Sequence, residues 1–274
     1  MSYFDPDRLS RCFSRLKDQN RAAFVTFLTA GDPNTEATNT LLQALPDCGA
    51  DIIELGMPFS DPMADGPTIQ RASKRALNGG MTLEKTLVMA KSLREKHPET
   101  PIILMGYYNP IYRYGNQAFL DRAKEAGVDG LIIVDLPPEE DNELAINALE
   151  QGVHFIRLVT PTSTPERIEK ILLRASGFIY YVSMTGITGT KDIEISGIKD
   201  RLDQIRAQSA LPIVVGFGIK QPEQAAAIAK IADGVVVGSA LVAALETGIT
   251  ADDIPAGIDQ ALHTTRALAQ AITS

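Results

Sequence analysis

The 274-residue sequence predicts an α/β fold: a single (β/α)8 barrel of the TIM type, with one extra helix ahead of the first strand. Two observations carry this expectation. Eight short apolar runs, rich in β-branched residues, recur along the chain, and helix-like stretches separate them. The runs are continuously apolar and do not alternate with polar residues, as expected of parallel strands buried on both faces. A third observation sets the domain count. No Pro/Gly/Ser linker or composition break divides residues 1–274, so one domain is expected.

The elements follow in order. Pro6–Gln19 places Leu9, Cys12, Phe13 and Leu16 at helical spacing, as an extra helix able to close the bottom of a barrel. The predicted strands are Ala23–Leu28, Asp51–Leu55, Ile102–Gly106, Gly130–Val134, Phe155–Val159, Phe178–Ser183, Pro212–Gly216 and Gly234–Val237. Predicted helices include Leu83–Glu95, Ala118–Ala126, Glu139–Glu150, Pro165–Ala175, Ile198–Gln208, Gln221–Ile231 and Ala240–Glu246. Thr164-Pro165-Glu166 and Gln221-Pro222-Glu223 are helix starts, with proline at the first helical position and an acid in the first turn. An open doubly wound sheet is the competing topology, but no GxGxxG follows the first strand. Three prolines between Met57 and Pro67 exclude a helix until about Pro67, leaving a long loop of the kind that usually carries function.

Composition narrows the function classes. Lys+Arg 26 against Asp+Glu 34 leaves a net charge of −8, which disfavours nucleic acid and anionic membranes as partners. No run approaches a membrane span, and the N-terminus lacks the apolar stretch of a secretory signal, so a cytoplasmic location is expected. Cys12 and Cys48 form no framework, and His97, His154 and His263 show no metal-ligand spacing. No metal is expected.

In such a barrel, chemistry sits at the C-terminal ends of the strands. Glu54 ends the second run, where an unpaired carboxylate among apolar neighbours is costly and gains a raised pKa. A strand-end carboxylate that is paired with a nearby cation or solvated is the alternative. Asp65 lies on the long loop before Gly66-Pro67, where the residues alone favour a helix cap over catalysis. Asp135 reads as a carboxylate that orders its own loop, and Tyr180 as core. Gly216-Phe217-Gly218 after the seventh run and Gly238-Ser239 after the eighth form a phosphate signal. Glycines let backbone N–H groups approach an anion, and a helix N-terminus adds partial positive charge. A Schiff-base aldolase would need a strand-end lysine, and none of the runs supplies one; Lys191 is the nearest. The residues thus reach a barrel enzyme acting on a phosphorylated small molecule with carboxylate acid/base chemistry.

The run Leu55-Gly56-Met57-Pro58-Phe59-Ser60-Asp61-Pro62-Met63-Ala64-Asp65-Gly66-Pro67-Thr68-Ile69-Gln70 resembles the tryptophan synthase α-subunit family. Phe27-Leu28-Thr29-Ala30-Gly31-Asp32-Pro33, Tyr108-Asn109-Pro110 and Gly186-Ile187-Thr188-Gly189 extend the resemblance over the chain. It implies cleavage of indole-3-glycerol phosphate to indole and glyceraldehyde 3-phosphate. Glu54 and Asp65 match the family's catalytic pair. Phe27, Met105 and Ile132 match apolar positions that sandwich the indole, and Tyr180 matches a residue lining the site near the catalytic glutamate. Thr188 and Gly189 match a closing loop, while Gly216, Phe217, Gly218, Gly238 and Ser239 match the phosphate site. The Ser183-Met184-Thr185-Gly186 run departs from the Arg-Ser pair familiar before that glycine. The implied partner is a β subunit carrying pyridoxal phosphate, in an α2β2 assembly, with no cofactor in this chain. Pro58, Asp61 and the Asn109-Pro110 loop match regions that meet that partner. A free-standing lyase and a non-catalytic barrel that activates a β subunit are the alternatives.

Overall fold

The computed structural model describes residues 7–183, 191–216 and 218–273. The chain opens with α1 (Arg8–Asp18) and continues through β1 (Ala23–Thr29), α2 (Thr35–Ala44), β2 (Ile52–Gly56), α3 (Pro67–Asn78) and α4 (Leu83–Lys96). Next come β3 (Ile102–Gly106), α5 (Tyr108–Tyr114), α6 (Asn116–Glu125), β4 (Gly130–Ile133) and α7 (Ala145–Glu150). Then follow β5 (His154–Phe155), β6 (Arg157–Val159), α8 (Pro165–Leu172), β7 (Ile179–Val182) and α9 (Lys191–Arg206). The chain closes with β8 (Ile213–Gly216), α10 (Pro222–Ala229), β9 (Gly234–Val237), α11 (Ser239–Thr250) and α12 (Ile254–Thr273).

All strand pairs are parallel, and the order β5-β4-β3-β2-β1-β9-β8-β7-β6 runs round a barrel. β5 and β6 are two halves of the predicted fifth strand, parted only at Ile156, whose N–H still donates to the Leu131 carbonyl. The first half pairs with β4 and the second with β7, which brings the ends of the sheet together.

Strand periodicity sorts the core into two layers. Phe24, Ile53, Leu104, Leu131, Tyr181 and Val235 face the helices. Val25, Ile52, Ile103, Ile132, Ile156 and Val214 face the barrel interior. Each such side chain, fully buried, contributes about 1.5–3 kcal/mol. Leu9, Cys12 and Leu16 of α1 join the interior layer and plug its lower end, as the spacing over Pro6–Gln19 predicts.

Two elements differ from expectation. The helix predicted over Glu139–Glu150 begins only at Ala145, after a single 3-10 turn at Pro138–Glu140. Asp141 is the reason: its side chain turns inward to ion-pair with the buried Arg157, and Arg174 adds a second contact at 3.4 Å. Asn109-Pro110, read as loop, lies in the first turn of α5, where a proline's missing N–H costs no hydrogen bond. Asp135 does not order its own loop. It accepts from the Tyr108 N–H at 2.8 Å and thereby caps α5. The Asp141–Arg157 pair carries a stability prediction. Asp141→Ala leaves a buried guanidinium uncompensated and should cost about 3–5 kcal/mol in urea unfolding. A loss below about 1 kcal/mol would show that Arg157 finds water or another partner.

Candidate active site

The strand period that puts Ile52 inside the barrel also puts Glu54 there, one layer nearer the C-terminal ends. Register sets it between Phe27 of β1 and Ile103 of β3. Glu54 is fully buried, and neither carboxylate oxygen has a hydrogen-bond partner. Burial alone pushes its pKa from 4.5 to about 8. The cation that would make Glu54 a structural ion pair is absent among the described residues.

Glu54 lines a cavity of about 1080 Å³ together with Phe27, Asp65, Met105 and Tyr180. Asp65 reaches it from the loop after β2. The helix-cap reading of Asp65 fails, because the N-cap of α3 is Gly66 and no side chain caps that end. Burial raises the Asp65 pKa from 3.8 to about 6, and a hydrogen bond from Tyr107 offsets part of the rise. Desolvation by apolar surroundings therefore drives both carboxyls upward, but to different extents.

Tyr107 is the residue that the sequence reading missed. It follows β3 directly, is buried, and its hydroxyl accepts from the Ala64 N–H at 3.0 Å. Its ring packs on Phe59, with centroids 5.3 Å apart. One side chain thus anchors the backbone before Asp65 and lies close enough to the Asp65 carboxyl to moderate its pKa. The available signal was its place at a strand's C-terminal end. Tyr180 lies deeper, with burial first and then the charges of Glu54 and Asp65 holding its hydroxyl protonated well above the usual range.

The remaining expected residues divide. Gly218, Gly238 and Ser239 line the cavity, and Gly238 is the N-cap of α11. That 12-residue helix starts with no capping side chain and no acid in its first turn, so its N–H groups face the cavity mouth unclaimed by side chains. Gly218 sits at φ +83°, a left-handed conformation that favours glycine. Gly216 makes room of a different kind: a Cβ there would lie 2.2 Å from the Tyr180 hydroxyl. Ile132 pairs with Met105 in register but is wholly enclosed in the interior layer and does not line the cavity. Thr188, Gly189 and Phe217 lie outside the described residues, as does the Met184-Thr185 departure. Lys191 opens α9, and its side chain is likewise outside them. Pro58 and Asp61 sit on the loop ahead of α3, Asp61 exposed and Pro58 half-buried; Asn109 and Pro110 sit on α5. Among the described residues, no cluster of His, Cys, Asp and Glu is arranged to hold a metal, and no helix is long and apolar enough to cross a membrane.

Comparison with known proteins gives a consistent set. The family model for tryptophan synthase alpha chain matches residues 13–273. The tryptophan synthase alpha chain of Legionella pneumophila subsp. pneumophila is 40% identical, with a TM-score of 0.88 and coverage of 97% of both chains. The alpha subunit from L. pneumophila str. Paris is 41% identical, with a TM-score of 0.89 and coverage of 97% of this chain and 98% of that one. Tryptophan synthase from M. tuberculosis in an open form with BRD0059 bound is similar at 35% identity, with a TM-score of 0.86 over 98% of this chain and 99% of that one.

Proposed function

Since the chain belongs to the tryptophan synthase alpha chain family, whose members are lyases, we propose that Glu54 and Asp65 cleave indole-3-glycerol phosphate into indole and glyceraldehyde 3-phosphate. The observation that carries the reading is two carboxyls in one apolar cavity with pKa values driven apart, Glu54 to about 8 and Asp65 to about 6. At neutral pH Glu54 holds a proton and Asp65 is mainly ionised.

The chemistry uses both states. Protonated Glu54 gives its proton to indole C3, which turns the ring into an electron sink. Positive charge develops at the ring N–H, and the Asp65 carboxylate accepts a hydrogen bond there and stabilises it. The Glu54 carboxylate then takes the proton from the adjacent hydroxyl of the glycerol chain. The C3 to side-chain bond breaks, its electron pair returns to the ring, and the hydroxyl carbon becomes the aldehyde. Glu54 ends as it began, so no net proton is consumed. Phe27, Met105 and Tyr180 offer the apolar walls for the ring, with Ile132 supporting Met105 from the interior layer. Gly218, Gly238 and Ser239, with the N-terminus of α11, receive the phosphate. Backbone amides suit an anion in a chain of net charge −8. Thr188, Gly189 and Phe217 are proposed to complete that end, and Gly216 to keep Tyr180 in place.

The family implies a β-subunit partner. We place its contact on Pro58, Asp61, Asn109 and Pro110, in an α2β2 assembly whose β subunit carries pyridoxal phosphate. The lyase reaction itself draws on no cofactor in this chain, and the whole scheme suits an enzyme of the cytoplasm.

The test is product analysis with the purified chain, with and without β subunit. Indole and glyceraldehyde 3-phosphate should appear in equal amounts. Without Trp, the protein adds no indole emission of its own. Activity only when β subunit is present would favour an obligate subunit, and none in either case would favour a non-catalytic activator. The pH profile of kcat/KM should be a bell, lost below about 6 as Asp65 protonates and above about 8 as Glu54 ionises. A profile flat from pH 5 to 9 would remove both carboxyls from the rate-determining steps.

A further inference from the structure

Four charged residues outside the cavity tie its two ends together. Arg71 of α3 grips Glu246 of α11 with a two-pronged contact, Nε to Oε1 and Nη2 to Oε2, both at 2.7 Å. Arg75, one turn further along α3, reaches Glu246 Oε1 at 2.8 Å. Its other edge holds Asp32, in the loop after β1, with contacts of 2.6 and 3.0 Å. Asp32 is buried, and Glu246 is held ionised to a pKa of about 2, chiefly by the Arg71 hydrogen bond.

What these pairs hold matters more than their individual strength. α3 starts two residues after Asp65, and α11 starts at Ser239. The residues that α3 buries are Ala72, Ser73 and Ala76. Such small side chains give shallow ridges and few dispersion contacts, so apolar packing resists sliding of this helix only weakly. A forked, partly buried ion-pair network has the directionality that the packing lacks.

We infer that Glu246 is a positioning residue: through Arg71 and Arg75 it fixes α3, and with it Asp65, relative to the amide groups at the start of α11. The inference rests on the proposed function, since the span it sets is that from the indole nitrogen to the phosphate of one substrate molecule. Glu246 touches neither end. It acts on the distance between them.

A linked ligand and its separate halves test this. The linked probe is 3-(indol-3-yl)propyl phosphate, which lacks the hydroxyls needed for cleavage; the halves are indole and glycerol 3-phosphate. In Glu246→Gln, affinity for the linked probe should fall about 10-fold, and kcat/KM for the substrate at least as much. Affinity for each half should stay within about twofold of the unsubstituted protein, because each end remains intact. Arg71→Lys keeps the charge but loses the fork, and should move the same way by a smaller factor. It serves as the readout should Glu246→Gln fold poorly. Equal weakening of all three ligands would show a general structural role and overturn the inference, as would no change in any. Failure of the unsubstituted chain to bind the linked probe would instead refute the proposed substrate.

Discussion

Glu54→Gln should lower kcat for indole release roughly 10³- to 10⁴-fold, because one side chain supplies both proton transfers. Substrate binding should change little, since the amide fills the same space between Phe27 and Ile103. Stability should move the other way. The folded pKa of Glu54 lies above its unfolded value, about 8 against 4.5. Between those values the unfolded chain binds fewer protons than the folded one, so stability falls as pH rises through that window. At pH 7 the penalty is on the order of 3 kcal/mol, from about 2.5 pH units at 1.36 kcal/mol each. Gln carries no such penalty, though its buried amide still lacks partners. Urea unfolding of the variant should therefore show equal or greater stability at pH 7 and a flatter response between pH 5 and 8. A variant that loses activity and stability together would point to Glu54 as a structural residue.

Asp65→Asn should lower kcat about 10²- to 10³-fold, the usual cost of removing one charge-stabilising group from a preorganised site. Asn still accepts from the indole N–H, so the loss isolates the carboxylate's charge. Because Gly66 and not Asp65 caps α3, the melting temperature should hold. The acidic limb of the pH profile should vanish with Asp65, while the limb near pH 8 remains with Glu54. A fall in melting temperature with kcat retained would restore the capping role for Asp65.

Glu54 was legible in the sequence because an acid interrupts an otherwise apolar strand run, and period two then fixes the side of the strand it shares with Ile52. The barrel was legible for the same reason, since strands buried on both faces leave no polar alternation. Asp65 was harder. An acid before Gly-Pro has the pattern of a helix start, and only the backbone shows Gly66 in the capping position. Tyr107 and α5 stayed hidden because an aromatic after a strand reads as core and Asn109-Pro110 reads as a turn. The Arg71–Glu246 contact joins residues 175 positions apart, and no local pattern announces it. The inward turn of Asp141 toward Arg157 is of the same kind: tertiary pairing overrode a local helix signal.

The proposed chemistry depends on the protonation state of one carboxyl. Carbon-13 NMR of protein labelled at the glutamate side-chain carboxyl carbon, with Glu54→Gln identifying the missing resonance, reads it directly across pH. The Glu54 signal should titrate with a midpoint near 8 and remain that of a neutral acid at pH 6. A midpoint between 4 and 5 would mean that water or a cation reaches Glu54. The proton proposed for indole C3 would then have to come from another group.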